Sequence, residues 1–158
     1  NDTGSRLAMS YAAYRSVRQI RQPKGLMASL ALPQELVGAH HLIVAGMAPS
    51  IVYELAALLG CDVKIVCQLV GIDRSTVTRK RTAAALLSRA QSARIYSFVS
   101  VMEAAESLFE GDRGKALEWL NKPARALGGN PPATFLTTAV GAQAVIDLIG
   151  QIEHGVVV

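Results

Sequence analysis

Signals that end one helix and begin the next recur along this sequence, and they constrain its fold more than any other feature. A Gly followed within two residues by an Asp occurs at 60–62, 71–73 and 111–112. Gly adopts the left-handed conformation that ends a helix, and Asp accepts hydrogen bonds from the free N–H groups that start the next one. Apolar residues recur at helical spacing between these signals, and no segment alternates as a strand would. The sequence therefore predicts an all-α protein.

Apolar spacing gives the expected helices and their buried faces. The helices are expected over residues 5–22, 33–45, 49–59, 63–70, 74–87, 91–110, 113–120, 132–138 and 140–154. Leu36, Ile43 and Val44 are expected to face inward from the second of these helices. Leu86 and Leu87 are expected to continue the inner face of the fifth.

Size and composition limit the class of protein. The chain has 158 residues, of which 51% are hydrophobic, enough for one compact domain or two very small ones that share a core. No apolar run approaches the roughly 18 residues that cross a bilayer, and the start of the chain lacks the layout of a signal peptide. We therefore expect a cytoplasmic protein in which Cys61 and Cys67 are reduced thiols.

Charge divides the chain into a basic and an acidic part. Residues 1–98 contain twelve Lys or Arg and five Asp or Glu, whereas residues 99–158 contain four and seven. The modest net charge of +4 hides this difference. Two regions of opposite charge suggest two different partners.

Residues 63–81 have the pattern of a helix-turn-helix. A short apolar helix is followed by Gly71, which permits the turn, and by Ile72, which can fill the angle between the helices. The second helix of such a unit enters the major groove of DNA, where arginine pairs with guanine and short hydroxyl side chains contact phosphates or bases. The candidate DNA-binding residues are Arg74, Ser75, Thr76, Thr78, Arg79, Lys80 and Arg81.

Two other interpretations of this segment stay open. The basic triplet at residues 79–81 could be the solvated face of an ordinary helix. The helix-turn-helix could also be residues 52–59 followed by residues 63–70. The second interpretation is disfavoured because Cys67, Gln68 and Leu69 are poorly suited to reading DNA bases.

No group of residues indicates catalysis. His40 and His41 are adjacent, so on a helix they point about 100° apart and do not bind one metal easily. Cys61 and Cys67 have neither a zinc nor a redox spacing. We therefore expect neither an enzyme nor a metal or other cofactor.

Residues from about Met102 to Gly155 resemble the toxin-binding domain of the Xre/MbcA/ParS antitoxin family. The matching segments, in order, are residues 105–109 followed by EGD, then KALEWLNKP, ALGGNPP and FLTTAVGAQAVIDLIGQIEHG. The preceding segment, from LAALLG to GIDRSTVTRKR, resembles the helix-turn-helix of the same family. The resemblance begins at about Leu36 and leaves the first thirty or so residues uncovered.

This resemblance implies an antitoxin that represses its own operon and neutralises a partner toxin. The usual partner is a RES-domain toxin that consumes NAD, and the C-terminal end of the antitoxin lies near the opening of the toxin's active site. The expected partners are therefore this toxin, operator DNA and a second copy of the chain in a homodimer. The candidate toxin-binding residues are Leu127, Gly128, Gly129, Asn130, Ile152, His154, Gly155, Val156, Val157 and Val158.

Weighed from the residues alone, several of these positions have simpler explanations. Gly128 and Gly129 suit a left-handed turn, and residues 156–158 could be a frayed end. Trp119 is expected to be an anchor of the core and not an exposed contact.

We divide the chain into an N-terminal helix and connection over residues 1–32, a helix-turn-helix domain over 33–98 and a toxin-binding domain over 99–158. Two alternatives to the antitoxin remain. One is a free-standing helix-turn-helix regulator whose C-terminal module only dimerises. The other is an interaction module whose basic helix is structural.

Overall fold

The computed structural model describes residues 25–155. The regular secondary structure of this part of the chain is helical, as predicted. Its strand-type pairing is confined to an isolated bridge between Ala124 and Asn130. The predicted helix over residues 5–22 lies outside the described residues. The α-helices are α1 (Leu26–Ser29), α2 (Leu36–Ala45), α3 (Ser50–Leu59), α4 (Val63–Val70), α5 (Arg74–Thr82), α6 (Arg89–Leu108), α7 (Arg113–Leu120) and α8 (Ala139–Glu153), with 3-10 helices at Arg125–Leu127 and Pro132–Phe135.

The helix ends predicted from Gly and Asp are confirmed in most places. Asp62 accepts a hydrogen bond of 2.8 Å from the N–H of Lys64, and Asp112 accepts one of 3.0 Å from that of Lys115. Gly71 ends α4 in the left-handed conformation, at φ 68°. Asp73 occupies the capping position of α5 with extended backbone, but its side chain makes no capping hydrogen bond. The Gly and Asp signals therefore located both ends of α4 and the start of α7 to the residue.

Helix α6 is the centre of the molecule. It contacts α1, α2, α4, α7 and α8. Its residues Ile95, Phe98, Val99 and Met102 have no exposed surface. The boundary proposed between residues 98 and 99 falls inside this helix. The helix-turn-helix and the C-terminal module thus share one core, which α6 supplies to both.

Helix α2 buries a different face from the one predicted. Leu36 is 86% exposed and Val44 41% exposed, and Ile43 is only half-buried, whereas Ala39 is the buried residue of the helix. The prediction was wrong because nearly every residue of α2 is apolar, so periodicity could not identify the face that packs.

Helix α5 is shorter than predicted. It ends at Thr82, and Ala84 then takes a positive φ of 50°. The turn lets the N–H of Leu87 donate to the carbonyl of Met47 at 2.8 Å, and it buries the Leu87 side chain. Leu86 stays 53% exposed, contrary to the prediction that both leucines face inward. Burial of Leu87 therefore outweighs continuation of the helix.

Arg113, at the start of α7, contacts both halves of the core. Arg113 Nε donates to Glu106 Oε1 at 2.8 Å, and Arg113 also donates to the carbonyl of Leu58 at 3.4 Å. Burial raises the pKa of Glu106, while the charge of Arg113 opposes that shift. This contact fixes the start of α7 against the end of α3.

Candidate functional site

Helices α4 and α5 form a helix-turn-helix in which α5 is the exposed partner. Val77 is the buried residue of α5, and Ile72, which is 4% exposed, fills the angle between the two helices. At about 100° per residue, Ser75, Arg79 and Thr82 lie on the side opposite Val77. All three are exposed. The outer face of α5 is therefore polar and basic.

The flank of α5 that faces α3 carries Arg74, Thr78 and Arg81. The guanidinium carbon of Arg81 lies 4.2 Å from the centre of the Tyr53 ring, a cation–π contact between α5 and α3. Hydrogen bonding with Thr78, and then with Arg81, lowers the pKa of the Tyr53 phenol. Thr78 also donates from its hydroxyl to the carbonyl of Arg74 at 3.0 Å. Arg81 is thus oriented by contacts within the protein.

The opposite flank faces α6 and carries Thr76 and Lys80, both half-buried. Lys80 Nζ donates to Gln91 Oε1 at 3.1 Å, and the same oxygen accepts from the N–H of Ser88 at the start of α6. Lys80 therefore ties α5 to α6, and of the predicted basic triplet Arg79 is the most outward.

The turn between α4 and α5 is held by α6, because Arg94 donates to the carbonyl of Gly71 at 2.6 Å. A Cβ at Gly71 would lie 3.4 Å from the methyl group of Thr137. Since Thr137 precedes α8, the C-terminal module lies next to the helix-turn-helix at its turn.

Burial shows that α5, and not α4, is the exposed helix of the pair. Helix α4 buries four of its eight residues, namely Val66, Cys67, Leu69 and Val70. The alternative helix-turn-helix, with α4 as its second helix, would present to DNA a helix that is half occupied by the core. Ile65, on the same helix, is 42% exposed.

The loop after α7 is exposed and closed on itself. The N–H of Ala124 donates to the carbonyl of Asn130 at 3.1 Å, and the Asn130 side chain donates to the carbonyl of Leu127 at 3.0 Å. Gly128 and Gly129 take φ values of 69° and 82°, which confirms the predicted left-handed turn. A Cβ at Gly129 would meet no atom within 4 Å, so this surface is open.

The end of α8 is also exposed. Ile152 is 36% exposed, and His154 and Gly155 lie at the surface. The predicted contacts at residues 156–158 lie outside the described residues. The candidate toxin-binding residues that can be placed are therefore exposed in a loop and at a helix end, except Leu127, which is half-buried against the core.

Trp119 is less buried than an internal anchor. It packs against the core yet is only half-buried, and with Phe109 it forms the apolar floor of a shallow groove. Lys115, Glu118 and Lys122 line its edges, and Lys122 pairs with Glu118 at 2.8 Å. The predicted contact of Trp119 with the core is confirmed, and the rest of its side chain is exposed in this groove.

Among residues 25–155, no cluster of three or more His, Cys, Asp or Glu side chains is arranged to hold a metal ion. His40 and His41 lie exposed on α2, and Cys61 and Cys67 are free thiols. Within the same range, no helix is long and apolar enough to cross a membrane.

The sequence prediction missed two residues that shape this site, Tyr53 and Arg94. Each lies on a helix outside α4 and α5, more than twenty residues from its partner. Their sequence neighbourhoods give no sign of these contacts.

Fold and site define a helix-turn-helix protein with an appended helical module that lies next to the turn of that unit. Residues 38–100 match the antitoxin Xre-like helix-turn-helix domain, and residues 104–155 match the antitoxin Xre/MbcA/ParS C-terminal toxin-binding domain. The chain belongs to the Xre/MbcA/ParS antitoxin family.

Individual relatives carry the same family name. Antitoxin Xre of Yersinia enterocolitica serotype O:8 / biotype 1B is 46% identical over 86 residues, which are 54% of this chain and 58% of the relative. Antitoxin Xre of Photorhabdus laumondii subsp. laumondii is 39% identical over 92 residues, 58% of this chain and 62% of the relative. The chain thus spans about three fifths of these two relatives. A Prs ADP-ribosylating antitoxin of Sphingobium sp. is 29% identical over 133 residues, 79% of this chain and 82% of the relative.

Proposed function

We propose that this protein is the antitoxin of a type II toxin–antitoxin system, which neutralises a partner toxin with its C-terminal module and binds its own operator with α5. The observation that carries the proposal is the match of residues 104–155 to a toxin-binding domain on a chain whose preceding domain exposes a basic helix. The opposite charges of the two halves agree with a polyanionic partner and a protein partner.

Operator binding is assigned to the seven candidate residues of α5, with different roles. Ser75 and Arg79 lie on the outer face, where side chains reach base edges. Arg74, Thr78 and Arg81 occupy the flank nearest α3 and suit phosphate contacts. Thr76 and Lys80 are half-buried and contribute charge and packing beside α6.

A homodimer would provide the two recognition helices that an operator with two half-sites requires. The exposed face of α2 supports this part of the proposal. It presents Leu36, which is 86% exposed, and Val37, which is 67% exposed, and α2 contains no Lys, Arg, Asp or Glu. An apolar face of this kind can pair with the same face of a second copy.

Toxin binding is assigned to the exposed loop at residues 127–130 and to the end of the chain from Ile152 onward. The loop is rigidified by its own hydrogen bonds, which reduces the entropy lost when a partner binds. Residues 156–158 are three valines that follow Gly155, and we assign this apolar stretch to the opening of the toxin's active site.

The toxin is proposed to be a RES-domain protein that consumes NAD. The name of the Sphingobium relative connects an antitoxin of this kind with ADP-ribosylation, for which NAD is the donor of ADP-ribose. Free NAD hydrolysis and transfer of ADP-ribose to a protein both deplete NAD. They differ in whether a labelled protein appears.

The test is co-expression with the protein encoded by the adjacent gene, in bacteria that lack both genes. The toxin alone should stop growth and lower cellular NAD, and the antitoxin should restore both. Labelled NAD added to extracts then separates ADP-ribosylation from hydrolysis. Specific retardation of the promoter together with no protection of growth would contradict the antitoxin function and favour the free-standing regulator.

A further inference from the structure

We propose that Tyr53 is a positioning residue for DNA binding, which holds the guanidinium of Arg81 ready for a DNA phosphate. This inference rests on the proposed operator binding by α5. Tyr53 belongs to α3, outside the two helices of the helix-turn-helix, so it would extend the DNA-binding apparatus to a third helix.

The contact leaves Arg81 both oriented and available. Its guanidinium lies over the Tyr53 ring, with 4.2 Å between the guanidinium carbon and the ring centre. A guanidinium has five N–H donors, and those that are not directed at the Tyr53 phenol can still donate to another group. Arg81 is exposed, so those donors are accessible to solvent. An arginine held in this way loses less rotamer freedom when it binds a phosphate.

The surroundings of Tyr53 fit a phosphate contact. Thr78 and Arg81, and then the charge of Arg74, lower the pKa of the Tyr53 phenol, so this position favours negative charge. Arg74, Thr78 and Arg81 are spaced at four and three residues, so they form one stripe along α5. This stripe lies beside the outer face of Ser75 and Arg79, at the edge where the recognition helix would meet the DNA backbone.

A double-mutant cycle tests whether the effect of Tyr53 on promoter binding acts through Arg81. Binding of the protein to its own promoter duplex is measured at one fixed salt concentration, for the unmodified protein, Tyr53→Leu, Arg81→Ala and the double variant. Tyr53→Leu removes the stacked ring and should weaken binding about fivefold, whereas Tyr53→Phe keeps the ring and should stay within about twofold. In the Arg81→Ala background, Tyr53→Leu should have no further effect.

Tyr96→Phe is the matched control. Tyr96 lies in the same core and donates its hydroxyl to the carbonyl of Pro33 at 2.8 Å, away from α5. It should bind the promoter as the unmodified protein does. Unchanged binding by Tyr53→Leu, or an equal loss with and without Arg81, would overturn the inference.

A second measurement uses only the unmodified protein. The ring current of Tyr53 should shift the side-chain proton signals of Arg81 in NMR spectra, and the shift should persist when the promoter duplex is bound. Loss of that shift on binding would overturn the positioning role, even if Tyr53→Leu did not fold. Failure of the unmodified protein to prefer its promoter over a random duplex would refute operator binding and this inference together.

Discussion

The substitution Gly141→Ala should destabilise the C-terminal module by a steric mechanism. Gly141 is buried in the first turn of α8, where its N–H donates to the Thr138 hydroxyl at 3.0 Å. A Cβ at this position would overlap the carbonyl oxygen of Phe135 and lie 2.9 Å from Thr138 Oγ1. The carbonyl cannot easily retreat, because the next residue, Leu136, is only 1% exposed.

The magnitude follows from two opposing effects. Overpacking against fixed backbone costs about 3 kcal/mol, at the upper end of the usual range. The higher helix propensity of Ala returns about 1 kcal/mol. The net loss is about 2 kcal/mol, which for a chain of this length lowers the melting temperature by about 4–8 °C.

Gly150→Ala on the same helix is the control, since a Cβ at Gly150 would meet no atom within 4 Å. At position 150 only the higher helix propensity of Ala acts, so the melting temperature should rise by about 2–4 °C. Thermal unfolding followed by circular dichroism compares the two. A Gly141→Ala protein that melts at or above Gly150→Ala would refute the packing between α8 and the preceding 3-10 helix.

Three further predictions concern α5, Tyr53 and the ion pair between Glu106 and Arg113. The double variant Arg79→Ala and Arg81→Ala should lose specific retardation of promoter DNA while its circular dichroism is unchanged, and undiminished binding would contradict the assignment of α5. In absorbance titrations, Arg81→Ala should raise the pKa of the Tyr53 phenol towards its ordinary value, because one of the interactions that lower it is removed. Burial raises the pKa of Glu106, so the folded protein holds that proton more tightly than the unfolded chain. The resulting stabilisation is present below the unfolded pKa of about 4.3 and is lost as pH rises through the folded value. Urea unfolding between about pH 4 and pH 6 should therefore show that the free energy of unfolding falls less with rising pH in Glu106→Gln than in the unmodified protein. Identical pH profiles would contradict this prediction.

Local rules predicted most of the secondary structure. Gly71 and Asp112 act on neighbouring residues, so their effect on the ends of α4 and α7 is visible in the sequence. The end of α5 was not visible in the sequence. It depends on the burial of Leu87, whose N–H donates to the carbonyl of Met47, forty residues earlier in the chain. The buried face of α2 was missed for a related reason, since its uniform apolarity leaves the choice to tertiary packing.

The sequence proposes which residues of α5 form the candidate site but not how they are arranged. It names seven polar and basic residues and separates arginines from hydroxyl side chains by chemistry alone. The structure separates Arg79 on the outer face, Arg81 on the ring of Tyr53 and Lys80 on Gln91. These distinctions arise from contacts with α3 and α6, which no spacing within α5 encodes.

The most direct test of the account is inhibition of the purified toxin, measured as NAD consumption while the antitoxin is titrated in. The unmodified protein should abolish NAD consumption at a defined stoichiometry, and the Arg79→Ala and Arg81→Ala double variant should inhibit equally well, because DNA binding is assigned to a separate surface. Deletion of residues 154–158 should leave promoter binding intact and reduce inhibition sharply. Continued NAD consumption at saturating unmodified protein would contradict the antitoxin function, and full inhibition by the truncated form would contradict the role assigned to its C-terminal end.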